Sequence, residues 1–145
     1  MAVLVDTDIL VDIAARDPVW LAWSRGVLAK LVGRVPLIIN PVIYAEFCVR
    51  YRDMDEVDAL LPAEEFRREG LPWAAASAAG AAFGVYRRAG GTRDRVLPDF
   101  LIGAHALIRG YSIVTRDPTG YRRYFPDVPL ITPETHPLQR TDPSP

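Results

Sequence analysis

The chain has 145 residues, of which 17 are Lys or Arg, 18 are Asp or Glu and two are His, for a formal charge of −1. Half of the residues are hydrophobic and 24% are charged, the balance of one folded, soluble domain with a single core. No apolar run reaches the roughly 20 residues of a membrane helix, no basic leader precedes Asp6, and a lone Cys48 excludes a disulfide framework or a cysteine-based zinc site, so a cytoplasmic protein is expected.

Residues 2–5 are wholly apolar and predict a buried strand ending at Asp6. Thr7 and Asp8 open a helix with Ile9, Leu10, Ile13 and Ala14 on one side. Asp17 and Pro18 predict the N-cap and first position of a second helix, through Trp20, Leu21, Leu28 and Leu31. Residues 35–39 read as a strand, and Pro41 opens a helix through Val42, Ala45, Glu46 and Val49. A short amphipathic helix covers residues 54–61, and the charged stretch 62–70 has room for an edge strand. Residues 72–89 form an Ala-rich helix, in which Gly80 and Gly84, four apart, predict close helix packing. After a polar loop at 90–95, Pro98 opens a helix through Ile102, Ala106 and Ile108 that Gly110 closes. A strand at 112–115, a helical turn at 121–125 and a last strand at 129–132 follow. Residues 133–145 hold four of the 13 prolines and read as a frayed tail. The domain is accordingly taken as residues 1–133, with a Pro-rich tail over 134–145.

Strands alternating with helices imply an α/β fold: one domain with a central parallel sheet and helices on both faces. In such folds ligands sit outside the carboxyl ends of the strands. Asp6 ends the first strand and Asp117 follows the strand at 112–115; Glu46 lies two turns into its helix and Asp99 in the first turn of another. All four can reach one rim of the sheet. Four converging carboxylates repel, and hard divalent cations with oxygen ligands, Mg²⁺ or Mn²⁺, are the usual remedy. Helix capping is the plainer explanation for Asp6, Asp99 and Asp117. It does not serve for Glu46, between Ala45 and Phe47 in an apolar helix. Asp8 reads as a cap or a hydrogen-bond partner of a ligand, and Asp12 as a solvated or salt-bridged face residue. His105 and Cys48 read as packed structural residues. Trp20, Trp23 and Trp73 read as core or interface, and Tyr121 and Tyr124 as packing residues.

Four segments in this order match a known pattern: residues 5–10 (VDTDIL), 40–46 (NPVIYAE), 97–106 (LPDFLIGAHA) and 113–117 (IVTRD). Over residues 3–133 the chain resembles PIN-domain ribonucleases, most closely the VapC-type toxins of toxin–antitoxin systems. The resemblance places the family's acidic quartet on Asp6, Glu46, Asp99 and Asp117 and its supporting hydroxyl on Thr115. Many members carry Asn where this chain has Asp8, so an extra carboxylate stands beside the quartet. The resemblance implies Mg²⁺- or Mn²⁺-dependent endonucleolytic cleavage of RNA, in which metal-activated water attacks phosphorus. It also implies homodimers and a cognate antitoxin covering the acidic site, with Trp20, Leu21 and Leu61 offering it an apolar groove. Eight Arg and three Asp stand between Gly84 and Arg123, and two of those Asp belong to the quartet. Arg93, Arg95 and Arg116 are the candidates for contact with RNA phosphates. The other roles open to such a chain are RNA processing, DNA cleavage, or a non-catalytic scaffold that binds RNA or protein. A P-loop NTPase is excluded by the lack of its Gly-Lys motif. A haloacid-dehalogenase-like phosphohydrolase is disfavoured by Leu10 at its fifth motif position and by Lys30, the sole lysine, lying in the second helix.

Overall fold

The computed structural model describes residues 1–91 and 97–138. Five short strands form one sheet: β1 (Val3–Val5), β2 (Leu37–Ile39), β3 (Phe66–Arg68), β4 (Ser112–Val114) and β5 (Leu130–Ile131). All neighbouring pairs are parallel, in the order β3-β2-β1-β4-β5. Around them lie α1 (Thr7–Ala14), α2 (Leu21–Leu31), α3 (Pro41–Cys48), α4 (Met54–Leu60), α5 (Trp73–Arg88), α6 (Leu97–Arg109) and α7 (Thr119–Tyr124).

The order explains the composition of each strand. β1 is central, so all three of its side chains are buried and all three are aliphatic. β3 is an edge, so Phe66 is buried while Arg67 and Arg68 face outward. From β1 the chain builds outward through β2 to β3, then crosses to the other side for β4 and β5. The order therefore reverses at β1 and β4, and the crevice at their carboxyl ends is where such a sheet binds ligands. Asp6 and Thr115 are the residues that follow those two strands.

Local signals account for several helix ends. Asn40 caps α3, its Oδ1 accepting from the Ile43 N–H at 2.9 Å, with Pro41 at the first helical position. Gly110 follows α6 with φ +70°, a conformation that favours glycine. Asp17 accepts from the N–H groups of Val19 and Trp20 at 2.8 and 2.9 Å. That double bond-up holds residues 18–20 in a turn, so α2 begins at Leu21, three residues later than its sequence suggests.

Three expectations are corrected. The glycines of α5 do not mediate close packing: a Cβ at Gly80 would meet nothing within 4 Å, and one at Gly84 only the Arg88 side chain. The fully buried small residues of α5 are Ala75 and Ala79. Trp73 is 90% exposed, so of its two expected roles, core or interface, it does not have the first. Residues 133–138 are docked and not frayed. Thr132 and Thr135 close a turn, the Trp23 Nε1–H donates to the His136 carbonyl at 2.8 Å, and Leu138 lies over Gly26. Proline count misreads this segment because its order comes from α2, more than 100 residues away in sequence.

One glycine with no room for a side chain is Gly103 of α6. A Cβ there would stand 2.4 Å from the ring of Phe125, which is itself buried. Gly103→Ala is expected to destabilise the protein by about 1–3 kcal/mol despite the better helix propensity of Ala. Urea unfolding measures this; an unchanged midpoint would mean that the Phe125 ring swings aside freely.

Candidate metal-binding active site

At the carboxyl ends of β1 and β4 a cavity of about 260 Å³ is lined by Asp6, Asp8, Glu46, Asp99 and Asp117. Phe100, Tyr121, Tyr124 and Phe125 supply aromatic wall. The structure thus gathers the four acids expected at the rim, with Asp8 beside them.

Asp6 follows β1 with extended backbone and caps α1, its Oδ1 accepting from the Thr7 N–H at 2.8 Å. Its Oδ2 accepts from two hydroxyls, Thr115 Oγ1 at 2.8 Å and Tyr121 at 3.0 Å. The Thr7 hydroxyl donates to Glu46 Oε1 at 2.8 Å, tying α1 to α3. Thr115 Oγ1 also lies 3.2 Å from Asp8 Oδ2 and accepts from the Asp117 N–H at 3.1 Å. One hydroxyl thus touches three of the acids, but it has a single proton to give. Among the described residues, Asp8 Oδ1 is buried with no hydrogen-bond partner.

This crowding raises proton affinity. Burial, reinforced by the Asp8 charge, pushes the Asp6 carboxyl up to about 8, against the hydrogen bonds from Thr115, Tyr121 and Thr7. Burial lifts Asp8 to about 6, although Arg116 opposes it. Glu46 is raised by burial and by the charge of Asp99. The Tyr121 hydroxyl is raised well above its ordinary value by burial and by the surrounding acids. It serves as a neutral donor throughout the physiological range.

Arg116 is held from behind. Its Nε pairs with Asp12 Oδ2 at 2.8 Å, and its guanidinium carbon lies 5.6 Å from the Trp20 ring centroid. Asp12 also accepts from the Ser24 hydroxyl at 2.9 Å and is only 1% exposed. It is salt-bridged as expected, but inside the protein and not on a solvated face. Arg93 and Arg95 lie outside the described residues. Thr7 and Tyr121 are the site residues that sequence reasoning missed. Tyr121 meets Asp6 from 115 residues away, and no local spacing signals that contact.

A second cleft, of about 420 Å³, has Leu10, Ile13, Leu28, Phe47, Leu60 and Leu61 among its walls, with Arg16, Arg25 and Glu65. Of the three residues expected to form an apolar groove, Leu61 lines this cleft and Trp20 and Leu21 do not. Among the described residues no helix is long and apolar enough to cross a membrane.

The acids of this cavity thus stand at the switch point of a parallel α/β sheet. The PIN domain family model matches residues 3–125, and the chain belongs to that family. No curated protein sequence is a significant match. The fold is similar to solved structures at low identity. VapBC2 from Rickettsia felis, bound to a DNA fragment from its promoter, has a TM-score of 0.67 at 18% identity, covering 91% of this chain and 98% of that one. DNA-bound VapBC from Salmonella typhimurium gives 0.69 at 17% with the same coverage. A toxin–antitoxin complex from Klebsiella pneumoniae gives 0.64 at 21%, again covering 91% and 98%.

Proposed function

We propose that the chain is a metal-dependent endoribonuclease serving as the toxin of a toxin–antitoxin pair. The observation that carries this reading is the gathering of five carboxylates around one cavity, with Asp6 and Asp8 pushed up to about 8 and about 6.

The donor set fits a hard divalent ion. Every candidate ligand is a carboxylate, Asp8 Oδ1 is buried without a partner, and the rest of the lining is Thr7, Gly120 and four aromatic residues. Among the described residues, no three acids already close on one point as a ready-made shell. Hydroxyls of Thr7, Thr115 and Tyr121 hold Glu46 and Asp6 in place. Asp6, Glu46, Asp99 and Asp117 would hold Mg²⁺ or Mn²⁺, with Asp8 beside them. A bound ion supplies positive charge for the scissile phosphate and acidifies water enough to make it a nucleophile near neutral pH. The chain's own groups do the rest. Thr115 and Tyr121 orient Asp6, and Thr7 orients Glu46. Arg93, Arg95 and Arg116 would contact the RNA phosphates, Arg116 through the part of its guanidinium beyond the Nε that Asp12 holds.

The cleft lined by Leu10, Leu28 and Leu61 would take an apolar segment of the antitoxin, with its Arg and Glu side chains setting register. The toxin would act in the cytoplasm, as a homodimer.

The test is incubation of the purified protein with total RNA in Mn²⁺, in EDTA, and in EDTA after Mn²⁺ is restored. Discrete fragments that need metal, with ends lacking a 2′,3′-cyclic phosphate, are expected, because water and not the ribose 2′-hydroxyl is the nucleophile. Absence of cleavage in every metal, from a folded protein free of antitoxin, would favour the binding-scaffold role instead.

A further inference from the structure

A second polar cluster runs from the buried His105 to the half-buried Glu69 and Tyr111, away from the acidic cavity. His105 of α6 is fully buried, and both ring nitrogens are engaged. Nδ1 lies 3.0 Å from Asn40 Nδ2, and Nε2 lies 2.6 Å from Glu69 Oε2. The second oxygen of Glu69 accepts from the Tyr111 hydroxyl at 2.7 Å. The Asn40 amide cannot be turned over, because its Oδ1 must accept the Ile43 N–H that caps α3. Asn40 therefore presents N–H to His105, Nδ1 accepts, and the ring proton sits on Nε2 and is donated to Glu69. Every member of the chain Ile43–Asn40–His105–Glu69–Tyr111 is satisfied, and each bond fixes the direction of the next.

The position of this chain bears on the metal site. Asn40 is the cap of α3, the helix that carries Glu46; His105 is on α6, the helix that carries Asp99. Each stands six residues from the acid on its own helix. The Asn40–His105 bond ties the start of α3 to the middle of α6 at a buried point. Glu46 and Asp99 are near enough for the charge of one to act on the other. An apolar pair would fill that space without the cost of burying an imidazole and an amide. What the polar pair adds is a single permitted spacing of the two helices.

We propose that His105 is a positioning residue that sets the separation of Glu46 and Asp99 by locking the cap of α3 to α6 through Asn40. The proposal rests on the reading of those acids as metal ligands. The atom that matters is the acceptor facing Asn40, not the donor facing Glu69.

Two substitutions separate these atoms. In His105→Asn the side-chain oxygen stands near the place of Nδ1 and can accept from Asn40, while the bond to Glu69 is lost. In His105→Gln the amide N–H can reach Glu69, while the acceptor for Asn40 is lost. Mn²⁺ affinity is measured by titration calorimetry on the full chain at a temperature where each variant is folded, with melting temperature recorded alongside. His105→Gln is expected to bind Mn²⁺ about tenfold more weakly, as for other groups that orient metal ligands. His105→Asn should stay within about twofold of the parent. A lowered melting temperature with unchanged Mn²⁺ affinity in His105→Gln would overturn the proposal and leave His105 a packing residue. If His105→Gln fails to fold, Asn40→Ser replaces it, keeping a hydroxyl to cap Ile43 but removing the amide. The same tenfold loss is expected there, and parental affinity would overturn the proposal. A parent protein that binds no Mn²⁺ removes the metal-site reading itself, an outcome distinct from a parent and variants that bind alike.

Discussion

Asp6→Asn is expected to lose metal-dependent cleavage by a factor of about 10²–10³ or more, while the metal-free protein becomes more stable at pH 8. Both effects come from the same carboxyl. Asp6 sits at the switch point with one oxygen on the Thr7 N–H and the other on the Thr115 and Tyr121 hydroxyls. Charge on it is opposed by burial and by Asp8, which is why its proton is held up to about 8. An amide keeps the acceptor for Thr7 and can donate to the two hydroxyl oxygens, so shape and hydrogen bonding survive. It brings no negative charge, so it neither repels Asp8 nor neutralises a cation. The same loss of cleavage is expected for Asp99→Asn. RNA cleavage and thermal melting on the same preparations check both arms. Retained cleavage by a folded Asp6→Asn protein would remove Asp6 from the metal site; a lower melting temperature at pH 8 would show that its charge is not destabilising.

The second large effect is in the pH dependence of stability. Asp6, Asp8 and Glu46 all hold their protons to higher pH in the folded chain than in an unfolded one. Between about pH 4 and pH 8 the folded state therefore binds more protons than the unfolded state, and stability falls as pH rises. The part due to Asp8 declines from about pH 4 and is gone above about pH 6, and the part due to Asp6 is gone above about pH 8. Asp17, Asp58 and Glu69 are shifted the other way, so their contributions are lost only on acidification below the usual carboxylate range. A divalent cation reverses the trend, because it stabilises the ionised acids. At a concentration a hundred times its dissociation constant it adds about 2.7 kcal/mol, which is roughly 5–10 °C for a chain of this size. The melting temperature gained in Mn²⁺ should thus be small at pH 5 and largest at pH 8. A gain independent of pH would mean that the ion binds somewhere other than the proton-holding acids.

What the sequence by itself determined is what neighbours along the chain decide. The apolar run before Asp6 can only be a buried strand, and β1 is buried on both faces. Asn40 before Pro41 writes a helix start, and Gly110 a helix stop with φ +70°. Alternation of these elements was enough for a parallel sheet, and a parallel sheet was enough to pick out the acids at its carboxyl end. The failures came where a local cue had two structural uses. Asp17 and Pro18 fit a turn as well as a helix entry. Gly80 and Gly84 carry no sign of which face of α5 they occupy, and Ala75 and Ala79 hold the buried one. The tail looked frayed because nothing within it shows that Trp23 waits to receive it.

Only the tertiary structure decided which polar groups meet. Thr115 and Tyr121 reach Asp6 across 109 and 115 residues, Arg116 reaches Asp12 across 104, and His105 reaches Asn40 across 65. Hydrogen bonds and ion pairs are short-ranged, so their partners are set by the order of strands and the packing of helices, which no local pattern encodes. Asp12 illustrates the difference. Its sequence context suits a surface acid, and its burial follows from Ser24 and Arg116 arriving on α2 and after β4 to receive its charge. The proton affinities of the acidic cavity have the same origin. They depend on how much water is excluded and how near the next carboxylate stands, and both quantities exist only once the chain has folded.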